Sequence, residues 1–489
     1  MAMHKIIFRA DGSAKLGYGH IHRLLAIVQM LYQKFDCVFI SHEASPFLVE
    51  NLEDINVPFL QVPGIKYNIP DARKENEEVV FDMDSLLKGN EIVVLDGYWF
   101  GKEYQQAIKN RGCIVVYIDD LMLPGNIADC IINHSPGISI SDYKQLAPAS
   151  SVYVGSRYSL INISNKFRHQ HPHPNGFSRL LIAMGGADPQ NFTCKVILAH
   201  KAFIQRFIKL VVLVGNVYAY SKALQDAVAD LSNVKLIHGL PKTEMLALMQ
   251  QSSAAIISAS TMAVEYAHVG GALAIIQTAE NQKNIFKGLI ECGAAVSLEQ
   301  ILVLTQAAAT GMQKKQQEIF DGKSGERFIN LFQELQLQAG FSFIKAAPEH
   351  LQVTYQWASN QTVRAYSFNQ NPIVFEEHKN WFLKKIVENN CIYLLGKWEN
   401  NIVGSLRFNI ANNAALISYL VSPQFQGKGL GRIMLAKGLE YLATSNTNVI
   451  VANGYVMPQN IASVKVFKRL GFDCTTENNQ LLFSKKIYR

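Results

Sequence analysis

The chain has 489 residues, 49% of them hydrophobic and 17% charged, with a formal net charge of +7. That length asks for two or three domains with sizeable cores. The charge is mild for such a chain: it suits anionic small molecules, and with no Lys/Arg block in the sequence no nucleic-acid partner is expected.

The opening MAMHKIIFRADG has too short an apolar stretch for a signal peptide, and no later run approaches the roughly 20 apolar residues of a membrane span. Cys37, Cys113, Cys130, Cys194, Cys292, Cys391 and Cys474 form no CxxC pair. Buried reduced thiols in a cytoplasmic protein are therefore expected.

From residue 4 to about residue 335, short apolar runs alternate with amphipathic segments. Strands are expected at Lys5–Arg9, Cys37–Ser41, Ile92–Asp96, Ile114–Asp119, Leu180–Met184, Leu210–Gly215, Ala254–Ser258 and Ala272–Ile276. The alternation predicts α/β architecture with parallel sheets. A strand, a Gly-rich turn and a helix occur twice, in KIIFRADGSAKLGYGHIHRLLAIVQML and in RLLIAMGGADPQNFTCKVILA. Two Rossmann-like lobes, 1–165 and 176–335, are expected, with a ligand cleft between them. The segment FRHQHPHPNGF, Phe167–Phe177, reads as a solvated connector. Its His169, His171 and His173 have no carboxylate or Cys at ligand spacing, so no metal is expected.

The first turn holds Asp11, Gly17, Gly19 and His20. His20 falls at a helix start, where the dipole disfavours positive charge. A neutral imidazole there is a general-base candidate, although a lone His is as a rule structural. In the second lobe Ser258, Ser260 and Thr261 stand between a strand and a helix, where hydroxyls and free N–H groups suit a phosphate. Glu265, one turn on, can accept both hydroxyl protons of a ribose. This half, with Glu280-Asn281-Gln282 after the next strand, resembles the nucleotide half of glycosyltransferases with the two-lobed GT-B fold.

After the Gln-rich stretch Lys314–Gln338 a new strand opens at FSFIKAA, so a third domain is expected at 341–489. Its strongest signal is ISYLVSPQFQGKGLGRIMLAKGLEYL: a strand at Ile417–Val421, a Gly-rich turn, and a helix from about Gly429. Such a turn aims free N–H groups at one point and makes a pyrophosphate site. The P-loop pattern is absent. The next strand, Asn448–Val456, lacks the acidic residue of a dinucleotide-binding turn.

QxxGxG followed by NxxSxxxFxRLGF, Asn460 to Phe472, resembles the GNAT acetyltransferase superfamily over residues 342–489. The resemblance implies an α+β domain with acetyl-CoA as co-substrate. Gln426, Gly427, Lys428, Gly429, Gly431 and Arg432 would hold the pyrophosphate. The backbone of Leu420 and Val421 would pair with the pantetheine arm, and Asn460 would lie beside it. The family's tyrosine acid is replaced by Phe467, which leaves Tyr419 and Tyr455 as alternatives. Glu376, Glu377 and His378 are base candidates, with a solvated or core-packing helix face as the competing reading. Arg364, Ser367, Glu377, His378 and Trp381 also resemble acetyltransferases of the 4-amino group of UDP-linked amino sugars.

RxDxxxxxGxGHxxR, LDGY at Leu95–Tyr98, IDD ending at Asp119-Asp120 and MGGADPQN at Met184–Asn191 are similar to the UDP-sugar hydrolases of pseudaminic acid biosynthesis. That family releases UDP from UDP-2,4-diacetamido-2,4,6-trideoxy-β-L-altropyranose. By this resemblance His20 activates water, Asp11 and Tyr98 line the sugar, and Gly17, Gly19, Gly185, Gly186, Ser260, Glu265, Asn281 and Gln282 bind the UDP-sugar. Asn133 matches an Asn-bearing turn of the family. The implied partners are a UDP-linked amino sugar and acetyl-CoA. A GT-B glycosyltransferase fused to an acetyltransferase, or a non-catalytic nucleotide-sugar sensor, stays open at this point.

Overall fold

The computed structural model describes residues 4–13, 17–62, 82–169, 178–445 and 448–487. The chain divides into two compact units, Met1–Phe332 and Gln333–Arg489.

In the first unit, Val-, Ile- and Leu-rich runs build two sheets. The first consists of β1 (Ile6–Ala10), β2 (Cys37–Ser41), β3 (Phe59–Gln61), β4 (Ile92–Asp96), β5 (Ile114–Ile118), β6 (Cys130–Asn133) and β7 (Ser151–Val154). Their order is β3-β2-β1-β4-β5-β6-β7. All its pairings are parallel. β1, β2 and β4 are buried along their whole length, as strands covered on both faces must be. The strand order reverses between β1 and β4, and at such a switch point the carboxyl ends of the strands open a crevice.

The second sheet repeats the plan with β8 (Arg179–Ala183), β9 (Lys209–Val214), β10 (Val234–His238), β11 (Ala254–Ser258), β12 (Ala272–Ile276) and β13 (Val296–Ser297). Its order is β10-β9-β8-β11-β12-β13, so its switch point lies between β8 and β11. Side chains alternate between two cores: Leu181, Ala183, Val211 and Leu213 pack on one face, and Leu180, Ile182, Leu210 and Val212 on the other. The lobes touch where helix Lys283–Glu291 meets the loop after β6. A Cβ on Gly288 would stand 1.7 Å from the Pro136 carbonyl oxygen, an approach only glycine permits.

The second unit holds β14 (Phe341–Lys345), β15 (Cys391–Trp398), β16 (Asn401–Ala411), β17 (Ala414–Val421), β18 (Val451–Val456), β19 (Asp473–Glu477) and β20 (Gln480–Lys486). The order is β14-β15-β16-β17-β18-β20-β19. β17 and β18 are parallel and pair only over Ala414–Leu416 with Val451–Asn453. Beyond that point β17 runs on to Val421 while β18 pairs with β20. The two strands splay, and the backbone of β17 is open on that side.

The fold class is the expected one: mixed α/β, with two Rossmann-like lobes and an α+β unit. Strand ends shift by a residue or more in several places, and other details differ. β18 begins at Val451 rather than Asn448. His169 is not a solvated linker residue: its N–H donates to the Val269 carbonyl at 2.9 Å, and burial lowers its pKa. His171 and His173 lie outside the described residues. Cys37, Cys113, Cys130 and Cys194 are buried, but Cys474 is exposed. Among the described residues no group of three His, Cys, Asp or Glu could hold a metal ion, and no helix is long and apolar enough to cross a membrane.

Candidate active sites

At the first switch point, the turn after β1 leads into helix Gly19–Leu31, which places His20 in its first turn. Gly17 has φ +79°, a conformation that favours glycine. His20 is buried, and its Nδ1 lies 2.7 Å from Oδ1 of Asp96, the last residue of β4. Arg23, one helical turn further, grips both oxygens of Asp96, Nε at 2.9 Å and Nη2 at 2.6 Å, and pairs with Asp120 through Nη1. Arg23 Nη2 also stands 2.7 Å from His20 Nδ1. With a proton on Nδ1, His20 donates to Asp96 and keeps a lone pair on Nε2, the form a general base requires.

The Tyr98 hydroxyl donates to Asp120 Oδ2 at 3.1 Å, and its ring stands edge-on to His20 with centroids 4.9 Å apart. Burial, and then the Asp120 charge, pushes the Tyr98 phenol well above its usual range, so it stays protonated. His134 is buried beneath the group. Burial first, then the Arg23 charge, lowers its pKa to about 4.

Two expected ligands of this lobe are enclosed by internal partners. Asp11 is buried under the site, where it accepts from Arg9 Nη1 at 2.5 Å, from the His42 backbone at 2.9 Å and from Ser41 Oγ at 3.3 Å. Asn133 is fully buried and uses both ends of its amide, donating to Tyr143 Oη at 2.9 Å and accepting from Ser135 N at 3.0 Å. Neither lines an open surface.

At the second switch point Gly185, with φ +94°, faces Ser258. Gly186 follows it in the exposed turn. Ser260 is the N-cap residue of helix Thr261–Val269, yet no side chain caps that helix, which leaves its end open to an anion. Ser258 Oγ and Ser260 Oγ are 3.2 Å apart. Glu265 is buried, and Lys242 Nζ stands 3.3 Å from its Oε1. Burial raises the Glu265 pKa, and Lys242 opposes that shift. Asn281 Nδ2 reaches across to the Tyr98 hydroxyl at 3.5 Å, which joins the two lobes at the site. Gln282 Oε1 accepts from Thr278 N at 2.8 Å and closes its own turn.

Arg23, Asp96, Asp120, Lys242 and Asn284 join the site without a role that residue type or spacing announces. Asn284 Nδ2 donates to the Asp120 carbonyl at 2.8 Å. Arg23, Asp96 and Asp120 all stand inside the quoted GHxxR, LDGY and IDD patterns. Their roles are electrostatic pairings between distant segments, which spacing alone does not reveal.

In the second unit the turn after β17 carries Gly427 at φ +78° and Gly429 at φ +84°, directly before helix Leu430–Ser445. The Gly431 Cα lies so close to β17 that a Cβ there would stand 3.3 Å from Val421 Cγ2. Three side chains expected on the pyrophosphate are engaged elsewhere. Gln426 Nε2 donates to the Val421 carbonyl at 3.1 Å, Arg432 pairs with Glu334, and the Lys428 ammonium lies 5.0 Å from the Phe425 ring centre. The turn's backbone N–H groups are then the donors an anion could meet there. Asn460 is the N-cap of helix Ile461–Arg469, where its Oδ1 accepts from Ser463 N at 3.1 Å.

Tyr419 stands in the splay, and its hydroxyl donates to Ser463 Oγ at 3.0 Å. Burial raises its pKa. Phe467 is a core ring, stacked on Phe483 at 4.9 Å. The Tyr455 hydroxyl donates to Glu477 Oε2 on β19 at 3.3 Å, and Tyr455 does not line the cleft that lies against β17. A cleft of about 340 Å³ lies against the open end of β17 and brings together Glu377, His378, Trp381, Arg407, Tyr419 and Leu420. His378 is buried, its Nε2 is 3.3 Å from Thr354 Oγ1, and desolvation lowers its pKa. Arg364 does not line the cleft. Its guanidinium binds the Asn369 and Asn371 carbonyls and organises its own loop.

Residues 352–472 match the acetyltransferase (GNAT) family model. The second unit carries a GNAT domain. Its co-substrate is acetyl-CoA. The chain is 22% identical to an uncharacterized protein of Methanocaldococcus jannaschii, over 97% of this chain and 98% of that one. It is 24% identical to the UDP-2,4-diacetamido-2,4,6-trideoxy-beta-L-altropyranose hydrolase of Campylobacter jejuni, over 53% of this chain and 87% of the relative. A spore coat polysaccharide biosynthesis protein of Bacillus subtilis is 22% identical over 60% of this chain and 84% of its own. Beside its GNAT domain, the chain therefore has distant homology to a UDP-sugar hydrolase.

Proposed function

We propose that the chain is a bifunctional nucleotide-sugar enzyme. Its second unit acetylates the 4-amino group of a UDP-linked 4-amino-4,6-dideoxy sugar, and its first unit releases UDP from the resulting diacetamido sugar. The observation that carries the hydrolase half is the His20–Asp96 contact at the switch point between β1 and β4. An imidazole whose Nδ1 is held by a buried carboxylate is placed to take a proton from water on Nε2.

In the first reaction the substrate amine attacks the thioester carbon, and the C–S bond breaks. His378, which burial keeps neutral, or Glu377 accepts the amine proton at the cleft wall. Tyr419 is the candidate to protonate the leaving thiolate. Its hydroxyl lies in the splay between β17 and β18, while the family's tyrosine position is filled by the core ring of Phe467. The open backbone of Leu420 and Val421 is suited to pair with the pantetheine amides.

In the second reaction water attacks the anomeric carbon and passes a proton to His20 Nε2. The bond from C1 to the phosphate oxygen breaks, and UDP leaves with the electron pair. The uncapped start of helix Thr261–Val269, with Ser260 and the Gly185-Gly186 turn, would stabilise the departing diphosphate. Glu265 would accept from the ribose hydroxyls, and Asn281 and Tyr98 would bound the sugar from opposite lobes. The two sheets with facing nucleotide features support a GT-B-like reading of this unit.

The test is to incubate the UDP-4-amino sugar with acetyl-CoA and follow products by NMR. Free thiol, then UDP, is the expected order. Thiol without any UDP would sink the hydrolase half.

A further inference from the structure

The cleft of the second unit has a floor of sheet and a wall of helix. On the floor, Tyr393 pairs with Arg407 and Arg407 with Ser418, while Ser405 pairs with Leu420 in the neighbouring row. On the wall stand Thr354, Trp357, Glu377, His378 and Trp381. Arg407 is the one permanent cation among the described residues that line the cleft. No carboxylate lies within ion-pair distance of it among the described residues: the nearby Glu388 is taken by Lys385 at 2.5 Å. The guanidinium is held instead by aromatic faces, 4.7 Å from the Trp381 centroid and 5.9 Å from that of Tyr393. Its Nε is buried with no hydrogen-bond partner. A charge fixed by π-faces is oriented without being neutralised, and a desolvated donor left unmade is costly until an acceptor arrives.

We infer that Arg407 is the residue by which the acetyltransferase site binds the diphosphate of a nucleotide-linked sugar, and so selects it over the free amine. This rests on the reading of the second unit as a sugar-nucleotide acetyltransferase. Arg407 lies two residues along β16 from Ser405, the partner of Leu420, which is about 7 Å at strand rise. A group at the cofactor strand and a group at Arg407 are therefore separated by roughly the width of one sugar ring. In a pyranose, C4 and C1 are diametrically opposed, so an amine on C4 at the thioester sends a phosphate on C1 toward Arg407. A planar, permanently charged fork matches two phosphate oxygens.

UDP is titrated calorimetrically into the full chain saturated with CoA. The wild type is expected to bind one more equivalent of UDP than Arg407→Met, with CoA affinity unchanged between them. Arg407→Lys keeps the charge but loses the fork, and is expected to weaken that site several-fold. Equal UDP stoichiometry and affinity in wild type and Arg407→Met overturns the inference. If Arg407→Met no longer binds CoA, unchanged UDP affinity in a CoA-competent Arg407→Lys overturns it. In turnover, Arg407→Met should raise KM for the UDP-4-amino sugar about tenfold or more at unchanged kcat. A fall in kcat at unchanged KM speaks against a binding role. Wild type that binds the additional UDP but never acetylates the UDP-4-amino sugar leaves the anion site standing and sinks the substrate reading.

Discussion

Nδ1 of His20 lies 2.7 Å from Oδ1 of Asp96, although 76 residues separate them in the chain. Parallel pairing of β1 with β4 makes them neighbours, because Ala10 stands beside Asp96 and the turn after β1 folds back over that strand end. In the proposed hydrolysis this contact is what would make a base of a histidine unremarkable in isolation. Asp96 is the acceptor that faces Nδ1, and Arg23 holds Asp96 in place.

Asp96→Asn keeps the shape but offers an amide to Nδ1 and drives the ring proton to Nε2. UDP release is expected to fall by about 10²–10⁴, the usual worth of positioned general-base catalysis. Thiol release by the second unit should not change. An equal loss of both activities would mean the substitution damages the whole chain rather than the base.

Tyr419→Phe removes the hydroxyl that donates to Ser463 and retains the ring. Acetyl transfer is expected to drop about 100-fold or more in kcat with little change in acetyl-CoA affinity. Burial raises the Tyr419 pKa, so the acid form persists as pH climbs through the ordinary phenol range of about 10. Its alkaline limb therefore lies above that value, and a wild-type rate that falls at lower pH in step with a free phenol would rule the role out.

Glu265→Gln keeps the size but loses the charge that accepts ribose hydroxyls. UDP affinity of the first unit should weaken about tenfold, and that for 2′-deoxy-UDP much less. Equal losses for the two nucleotides would place Glu265 away from the ribose. Lys242, 3.3 Å from the carboxylate, would then be its whole purpose.

His134 is neutral in the folded chain because burial lowers its pKa from 6.5 to about 4. A depressed histidine makes the unfolded state bind more protons in that window. Stability is complete above pH 6.5 and declines as pH falls toward 4, by an amount of order 3 kcal/mol for this residue. Melting temperatures across that range should fall less steeply in His134→Gln than in wild type. Parallel slopes would assign the acid sensitivity to other groups.

Most of the architecture was legible because apolar strands buried on both faces leave unbroken runs of Val, Ile and Leu. Those runs located eight strands of the first unit. β3, at three residues, and β13, at two, are too short to write a pattern of their own and exist only because a neighbouring edge accepts them. The Gly-rich turn was legible for a related reason: positive φ at Gly427 and Gly429 demands glycine, so the backbone's need shows in the residue type.

Side-chain allegiance was not legible in that way. Arg432 and Gln426 carry the right chemistry for a phosphate and sit in the right turn, yet Glu334 and the Val421 carbonyl hold them. Asp11 and Asn133 match family positions and lie buried among internal partners. Arg407 carries no signal in the sequence, because alone in a strand it is one more polar residue. Only the rings of Trp381 and Tyr393, brought from a helix and an adjacent strand, make it an oriented cation.

By itself the sequence determined the local elements, the glycines that free backbone N–H groups at the turns, and the acetyl-CoA character of the last domain. These are short-range properties, written in periodicity and in φ. Tertiary structure alone decided which charged groups face each other and which face a cleft. Hydrogen bonds and ion pairs act over a few ångströms of space, and segments far apart in the chain, like His20 and Asp96, come within that range only when the sheet forms.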